Sequence, residues 1–214
     1  LVFAIPNILG APLYVIPSFS FHTFEGPRLA TADIPANAYS AFLDVGWESD
    51  PMRTFGAELG VRLGVFSDFN TYTSDSFRVM GKALARIRLT PNATLKGGAY
   101  YIDRNRYEIV PAGGILWIPN PDTRFDIFFP EPKLSHYLST VGTNDMWWYL
   151  TGFYGGGSWT LERASGEKDS IDINEIAVAL GLEFGKNELI RQGRRLGFIE
   201  AGYAFKRELL FKHR

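Results

Sequence analysis

Apolar residues recur at every second position over stretches longer than most soluble strands, and the positions between them hold glycine and charge. Phe55, Ala57, Leu59, Val61, Leu63 and Val65 share one face, opposite Gly56, Glu58, Gly60, Arg62, Gly64 and Phe66. In segment 77–89, Phe77, Val79, Gly81, Ala83, Ala85, Ile87 and Leu89 oppose Arg78, Met80, Lys82, Leu84, Arg86 and Arg88. Tyr39, Ala41, Leu43, Val45 and Trp47 make a third row, with Asp44 and Glu48 behind it. Ile199, Ala201, Tyr203 and Phe205 make a fourth, against Phe198, Glu200, Gly202, Ala204, Lys206 and Glu208. Alternation alone suits any half-buried strand. Length separates the cases: these strands reach about 12 to 15 residues against a usual 5 to 6, and a tilted membrane-crossing strand needs about 9 to 11. A second face of glycine and charge fits a crowded, wet barrel interior better than an open surface. The pattern predicts an all-β chain forming a closed antiparallel transmembrane β-barrel. The rival, a soluble barrel of lipocalin type, needs the apolar face inward.

Composition agrees with one packed unit: 214 residues, 46% hydrophobic and 15% aromatic, with 22 glycines. The 22 Lys and Arg against 23 Asp and Glu leave a net charge of -1, which gives no electrostatic footprint for nucleic acid. With no cysteine, disulfides, thiol nucleophiles and Cys-based zinc sites are excluded. No apolar run reaches the ~18 residues of a transmembrane helix, which leaves strands as the means of crossing a bilayer.

Turn-forming clusters at 49–52, 90–92, 119–122, 130–132, 142–145, 155–157 and 165–169 punctuate the chain. They predict about twelve strands, or ten if the stretch after Pro119 holds a kinked strand, and an even number lets both termini lie on one side. The glycines at 155–157 read as a hairpin turn between strands at 146–154 and 158–163. The expected layout is an extended N-terminal segment at 1–12, a barrel at 13–211 and a tail at 212–214. Starting on Leu1, with no basic leader and no cleavage site, the sequence reads as a mature or trimmed chain, compatible with export.

Catalytic patterns are sparse. His22, His136 and His213 stand far apart and none has a second ligand at metal-binding spacing. A lipid-hydrolase pair of His136 with Ser135 or Ser139 meets a geometric obstacle, because both serines point to the opposite face of a strand from His136. No G-x-S-x-G elbow or phosphate-binding loop occurs. No catalytic residue, metal or cofactor is therefore expected.

The candidate site is electrostatic. With the charged faces inward, Arg62, Arg78, Lys82, Arg86, Arg88 and Lys96 form a basic wall. Asp44, Glu48, Glu175, Glu183, Glu200 and Glu208 form an acidic one. Held apart across a wet lumen, the walls set up a transverse field that orients charged solutes; locked together, they fill the lumen with salt bridges. Both arrangements are open at this width. Tyr39, Trp47, Trp147, Trp148 and Tyr203 are expected at the lipid–water boundary.

The run AGGILWIPNPDTRFDIFFPEPKLSHYL, followed by GFIEAGYAFKRELLF, resembles bacterial outer-membrane β-barrel proteins, in particular a porin-like barrel family. The resemblance spans about residues 13–211 and implies outer-membrane lipid as surroundings and the barrel-assembly machinery as a partner during insertion. Glu200, Gly202 and Phe205 match part of the assembly signal of such proteins, while Arg207 stands where an apolar residue belongs. It brings no substrate and no catalytic residues; the function expected of the chain is a passive channel for small hydrophilic solutes. The alternative is a plugged barrel that anchors or partners another envelope protein.

Overall fold

The computed structural model describes residues 2–26, 28–29, 32–104, 107–163, 165–191 and 195–212, without the side chains at 28, 29 and 32. The strands are β1 (Phe3–Ile8), β2 (Ala11–Thr23), β3 (Arg28–Leu29), β4 (Ala32–Asp33), β5 (Asn37–Glu48), β6 (Phe55–Ser67), β7 (Phe77–Thr90) and β8 (Ala93–Tyr101). They continue as β9 (Ile109–Asn120), β10 (Thr123–Phe129), β11 (Lys133–Val141), β12 (Asn144–Glu162), β13 (Lys168–Lys186) and β14 (Gly197–Phe211). A 3₁₀ turn at Ser74–Ser76 and a short helix α1 at Asn187–Arg191 complete the described elements.

All strands but β3 and β4, which form a small ribbon of their own, join one 12-stranded sheet in chain order, each antiparallel to the next. Closure differs from the expected pairing of first strand with last. β12 meets β6 through a parallel bridge at Thr160 and Ser67, so the sheet is mixed. The closed ring holds seven strands, β6 to β12, with five outer strands: β1, β2 and β5 beyond β6, and β13 and β14 beyond β12.

The cause is a bend in β12. Residues 155–157 are not a hairpin turn but lie inside one 19-residue strand, which pairs with the equally long β13 from Asn144–Lys186 to Glu162–Lys168. Gly156 has φ +100°, and a Cβ there would come within 1.8 Å of the Ile173 carbonyl oxygen, so the bend requires glycine. At the same level the β13–β14 register shifts between Asn174 and Ile176, and Lys206 of β14 has φ +52°. Three strands thus crease together. Their far parts, near 158–162, 168–174 and 208–211, form a flap.

The flap is covered on both sides. Residues 158–161 and 169–174 are buried on both faces of their strands. Trp159, Leu161, Ile171 and Ile173 pack with Ala38 and Phe66, joined by Phe24, Ile34, Phe42, Met80, Leu209 and Phe211. This is the larger apolar core among the described residues; a smaller one, of Leu84, Ala112 and Phe128, lies on the inward faces of β7, β9 and β10.

Along β6, β7 and β13 the alternation runs as expected, with charge and glycine inward and apolar side chains outward, whereas β1 and most of β14 are exposed on both faces. On β6, Leu59, Val61 and Leu63 are exposed while Glu58 is buried. On β7, Val79 and Ile87 are exposed while Arg78, Leu84 and Arg86 are buried. On β13, Ile176, Val178, Leu180, Leu182 and Phe184 are exposed while Ala177, Ala179 and Glu183 are buried. Exposure of the apolar row and burial of the charged one is the reverse of a water-soluble barrel. The expected N-terminal extended segment also contains a strand, β1, which pairs with β2 from Phe3–Val15 to Ile8–Ala11.

Candidate functional site: the charged interior and its cap

The inward faces bring acid and base from neighbouring strands together. Arg62 donates to both carboxylate oxygens of Asp44, at 2.6 and 3.0 Å, directly across the β5–β6 ladder, and its guanidinium lies 4.0 Å over the Phe42 ring. Arg86 donates to Glu48 and, at 2.7 Å, to the Ser49 carbonyl. Glu58 sits at the centre, with Lys96 at 3.2 Å, Lys82 at 3.7 Å and Arg86 at 3.8 Å. Lys96 also reaches Asp126 at 4.0 Å, and Arg124 reaches it at 3.9 Å. The network therefore runs through β5, β6, β7, β8 and β10.

A second group lies on β11 to β14 and on the segment that leads into β14. Glu183 holds Lys133 and, at 3.7 Å, Arg195, both of which lie near the Tyr149 ring. The Tyr149 hydroxyl donates to Glu200 at 2.5 Å. Glu175 takes Arg207 at 2.6 Å, the residue that breaks the assembly-signal pattern, and Glu208 stands in register with Asn174.

The two walls expected from sequence thus do not stand apart. Asp44 and Glu48 meet Arg62 and Arg86 because β5 is the direct neighbour of β6, and antiparallel registry sets opposite charges within reach. Arg88 leaves the wall: it lies at the strand end and donates to the Met52 and Pro91 carbonyls at 3.2 and 3.4 Å. Sequence reasoning passed over Glu58 as a site residue, along with Asp126, Lys133, Arg195 and Tyr149. The signal for Glu58 was present: it shares a face with Arg62 and neighbours a strand whose matching face is basic.

The boundary aromatics divide. Trp148 and Tyr203 project outward, Tyr39 stacks on Phe69 at 4.3 Å, and Trp47 donates to the Ile8 carbonyl at 2.7 Å. Trp147 goes the other way, 4% exposed on the inward face opposite Glu183 and packed against Tyr137. The reason is the pleat, which sends adjacent residues to opposite sides. Ser135 is buried and His136 exposed for the same reason, and His22 packs against Phe24 and Trp159. His213 lies outside the described residues.

Between the ion pairs and the flap lies a cavity of about 840 Å³, lined by Arg62, Arg78, Lys82, Arg104, Tyr100 and Tyr154 among others. The flap closes over it through several contacts. Trp159 Nε1 donates to Ser40 Oγ at 3.1 Å, the Thr160 and Ser76 hydroxyls lie 2.6 Å apart, and the Asp68 N–H donates to the Thr160 carbonyl at 3.0 Å. Arg163 pairs with Asp33 at 3.0 Å, and Lys212 with Asp75 at 2.7 Å. Underneath, Arg78 donates to Ser170 Oγ and to the Asp103 carbonyl, both at 2.8 Å. Arg104 donates to Asn174 Oδ1 at 2.7 Å and to the Gly155 carbonyl at 3.1 Å, at the crease itself. The end of β6 and the loop after it seat the flap edge: Ser67 and Thr71 are fully buried there.

Comparison with known protein families, curated proteins and solved structures gave no match.

Proposed function

We propose that the chain is a bacterial outer-membrane β-barrel acting as a porin-like passive channel for small hydrophilic solutes, seen with one mouth covered by its flap. One observation carries this reading: the outward face is apolar over strand after strand, while the inward face encloses charge and an ~840 Å³ cavity. The dimensions support it. The exposed row from Ile176 to Phe184 rises about 27 Å along β13 at ~3.4 Å per residue, or about 20 Å of height at a ~40° tilt, close to the ~25 Å apolar band of such barrels. Lipid is then the solvent of the outer face.

The bilayer adds a requirement of its own. Backbone groups facing hydrocarbon need partners, and β1 and β14 are the two free edges of the sheet. In the membrane they pair with each other and complete a twelve-stranded wall around the flap. Their directions allow it, since twelve strands in antiparallel succession leave the first and last antiparallel.

A second reading is favoured by the interior ion pairs and the flap: a permanently plugged barrel serving as an anchor or as partner of another envelope protein. Single-channel recording in a planar bilayer separates the two. Discrete steps of steady conductance are expected of the channel; a silent barrel that is protected from protease by the bilayer transfers the assignment to the plugged anchor. A protein that stays in water without detergent refutes both.

A further inference from the structure

The cavity is the right size for a ligand, since small-molecule pockets occupy about 300 to 1,000 Å³. Its cationic lining consists of Arg62, Arg78, Lys82, Arg104, Lys133 and Arg195. Four of these have carboxylate partners: Arg62 has Asp44, Lys82 has Glu58, and Lys133 and Arg195 share Glu183. Arg78 and Arg104 form no ion pair with any carboxylate of the described residues. Their hydrogen bonds go to neutral oxygens, from Ser170 and Asp103 backbone for one, Asn174 and Gly155 backbone for the other.

Burial makes that arrangement costly. Arg78 is only 6% exposed, and its Nε, also buried, has no hydrogen-bond partner. A guanidinium has five N–H donors and cannot shed its proton, so a buried one without an anion keeps an uncompensated charge. Arg104 lies with its guanidinium 5.2 Å over the Tyr154 ring. Burial pushes it below its ordinary value, although Tyr154, Asp172 and Glu175 pull the other way. The carboxylate closest in sequence, Asp103, accepts the Val79 N–H at 3.2 Å, and Asp172 accepts from Ser158. Tyr14, Tyr100, Tyr101 and Tyr154 complete walls that combine flat apolar surface with hydroxyls.

We infer that this chamber binds an anionic solute, a small molecule bearing a phosphate or carboxylate group, whose oxyanion is held by Arg78 and Arg104 beneath the flap. Two guanidinia that line the cavity without a carboxylate at ion-pair distance supply the charge and the forked donors that oxyanions take. The inference deepens the channel reading by naming the solute class, and it rests on that reading only in treating the interior as solute space; no open path is needed for binding.

Calorimetric titration of purified barrel in detergent micelles with inorganic phosphate, and separately with acetate, tests it. Saturable binding of one of them is expected, stronger phosphate binding assigning a phosphate solute and stronger acetate binding a carboxylate one. Arg78→Gln and Arg104→Gln should each weaken it at least tenfold, with Arg53→Gln, on an exposed turn, binding as the unaltered chain does. Arg104 lies on a loop, so its variant serves if Arg78→Gln no longer folds by circular dichroism. Absence of saturable binding for both anions, or undiminished binding by Arg104→Gln, overturns the site. A barrel silent in bilayers that still binds loses the channel and keeps the chamber; a conducting barrel that binds neither anion loses the chamber alone.

Discussion

Among single residues, Glu58 holds the most charge in place. It faces three cations and is 9% exposed, and a charge withdrawn from such a position leaves its partners desolvated and mutually repelling. Glu58→Ala is expected to destabilise the barrel by about 3 kcal/mol or more, whereas Asp44→Ala, from a pair that solvent reaches, costs about 1 kcal/mol or less. Denaturant midpoints of the two variants in the same detergent check the difference; equal shifts would mean that Glu58 is no hub. Trp147 and Trp148 show what a single chain of letters withholds at this scale. Alternation decides that they face opposite ways, but which of the pair faces inward depends on the frame of β12, and no polar residue between 146 and 150 marks that frame. The basic face of segment 77–89 was legible because arginine and lysine repeat on it, though what they pair with depends on strand neighbours.

Among elements, β12 decides the architecture. About twelve strands were expected and the main sheet has 12, but the agreement hides two offsetting differences. β1 was read as part of an extended lead at 1–12, while β12 was divided at its three glycines. Glycine marks both a tight turn and a bend within a paired strand, and only the long-range ladder with β13 tells them apart. The flap that results can be locked. The chain has no cysteine, so Ser76→Cys with Thr160→Cys places one thiol pair where two hydroxyls stand 2.6 Å apart. Oxidation is expected to hold the flap down and lower mean conductance, with recovery on adding reductant. Identical conductance in both redox states would show that solutes pass without displacing the flap.

For the whole molecule, the channel reading makes the two free edges, β1 and β14, the feature that lipid would act on most. An unpaired strand edge in hydrocarbon is costly in every backbone group it leaves open, and an edge in water invites pairing with other chains. Ala4→Cys combined in turn with Ala201→Cys, Tyr203→Cys and Phe205→Cys is expected to give an intramolecular disulfide in at least one pairing after insertion into vesicles. A crosslinked dimer in place of the faster-migrating monomer would instead mean that the edges join two copies.

The flap also ties together parts of the chain made far apart in time. Its fastenings join Ser40 to Trp159, Asp33 to Arg163, Asp75 to Lys212 and Arg78 to Ser170. None can form until the C-terminal strands exist, and each then grips the N-terminal half. Contacts of such sequence separation make folding slow, because the loop must close before the contact rewards it. They also make the finished barrel a clasp whose last link fastens its first, so a chain cut short at its C-terminus loses the Lys212–Asp75 fastening as well as its final strand.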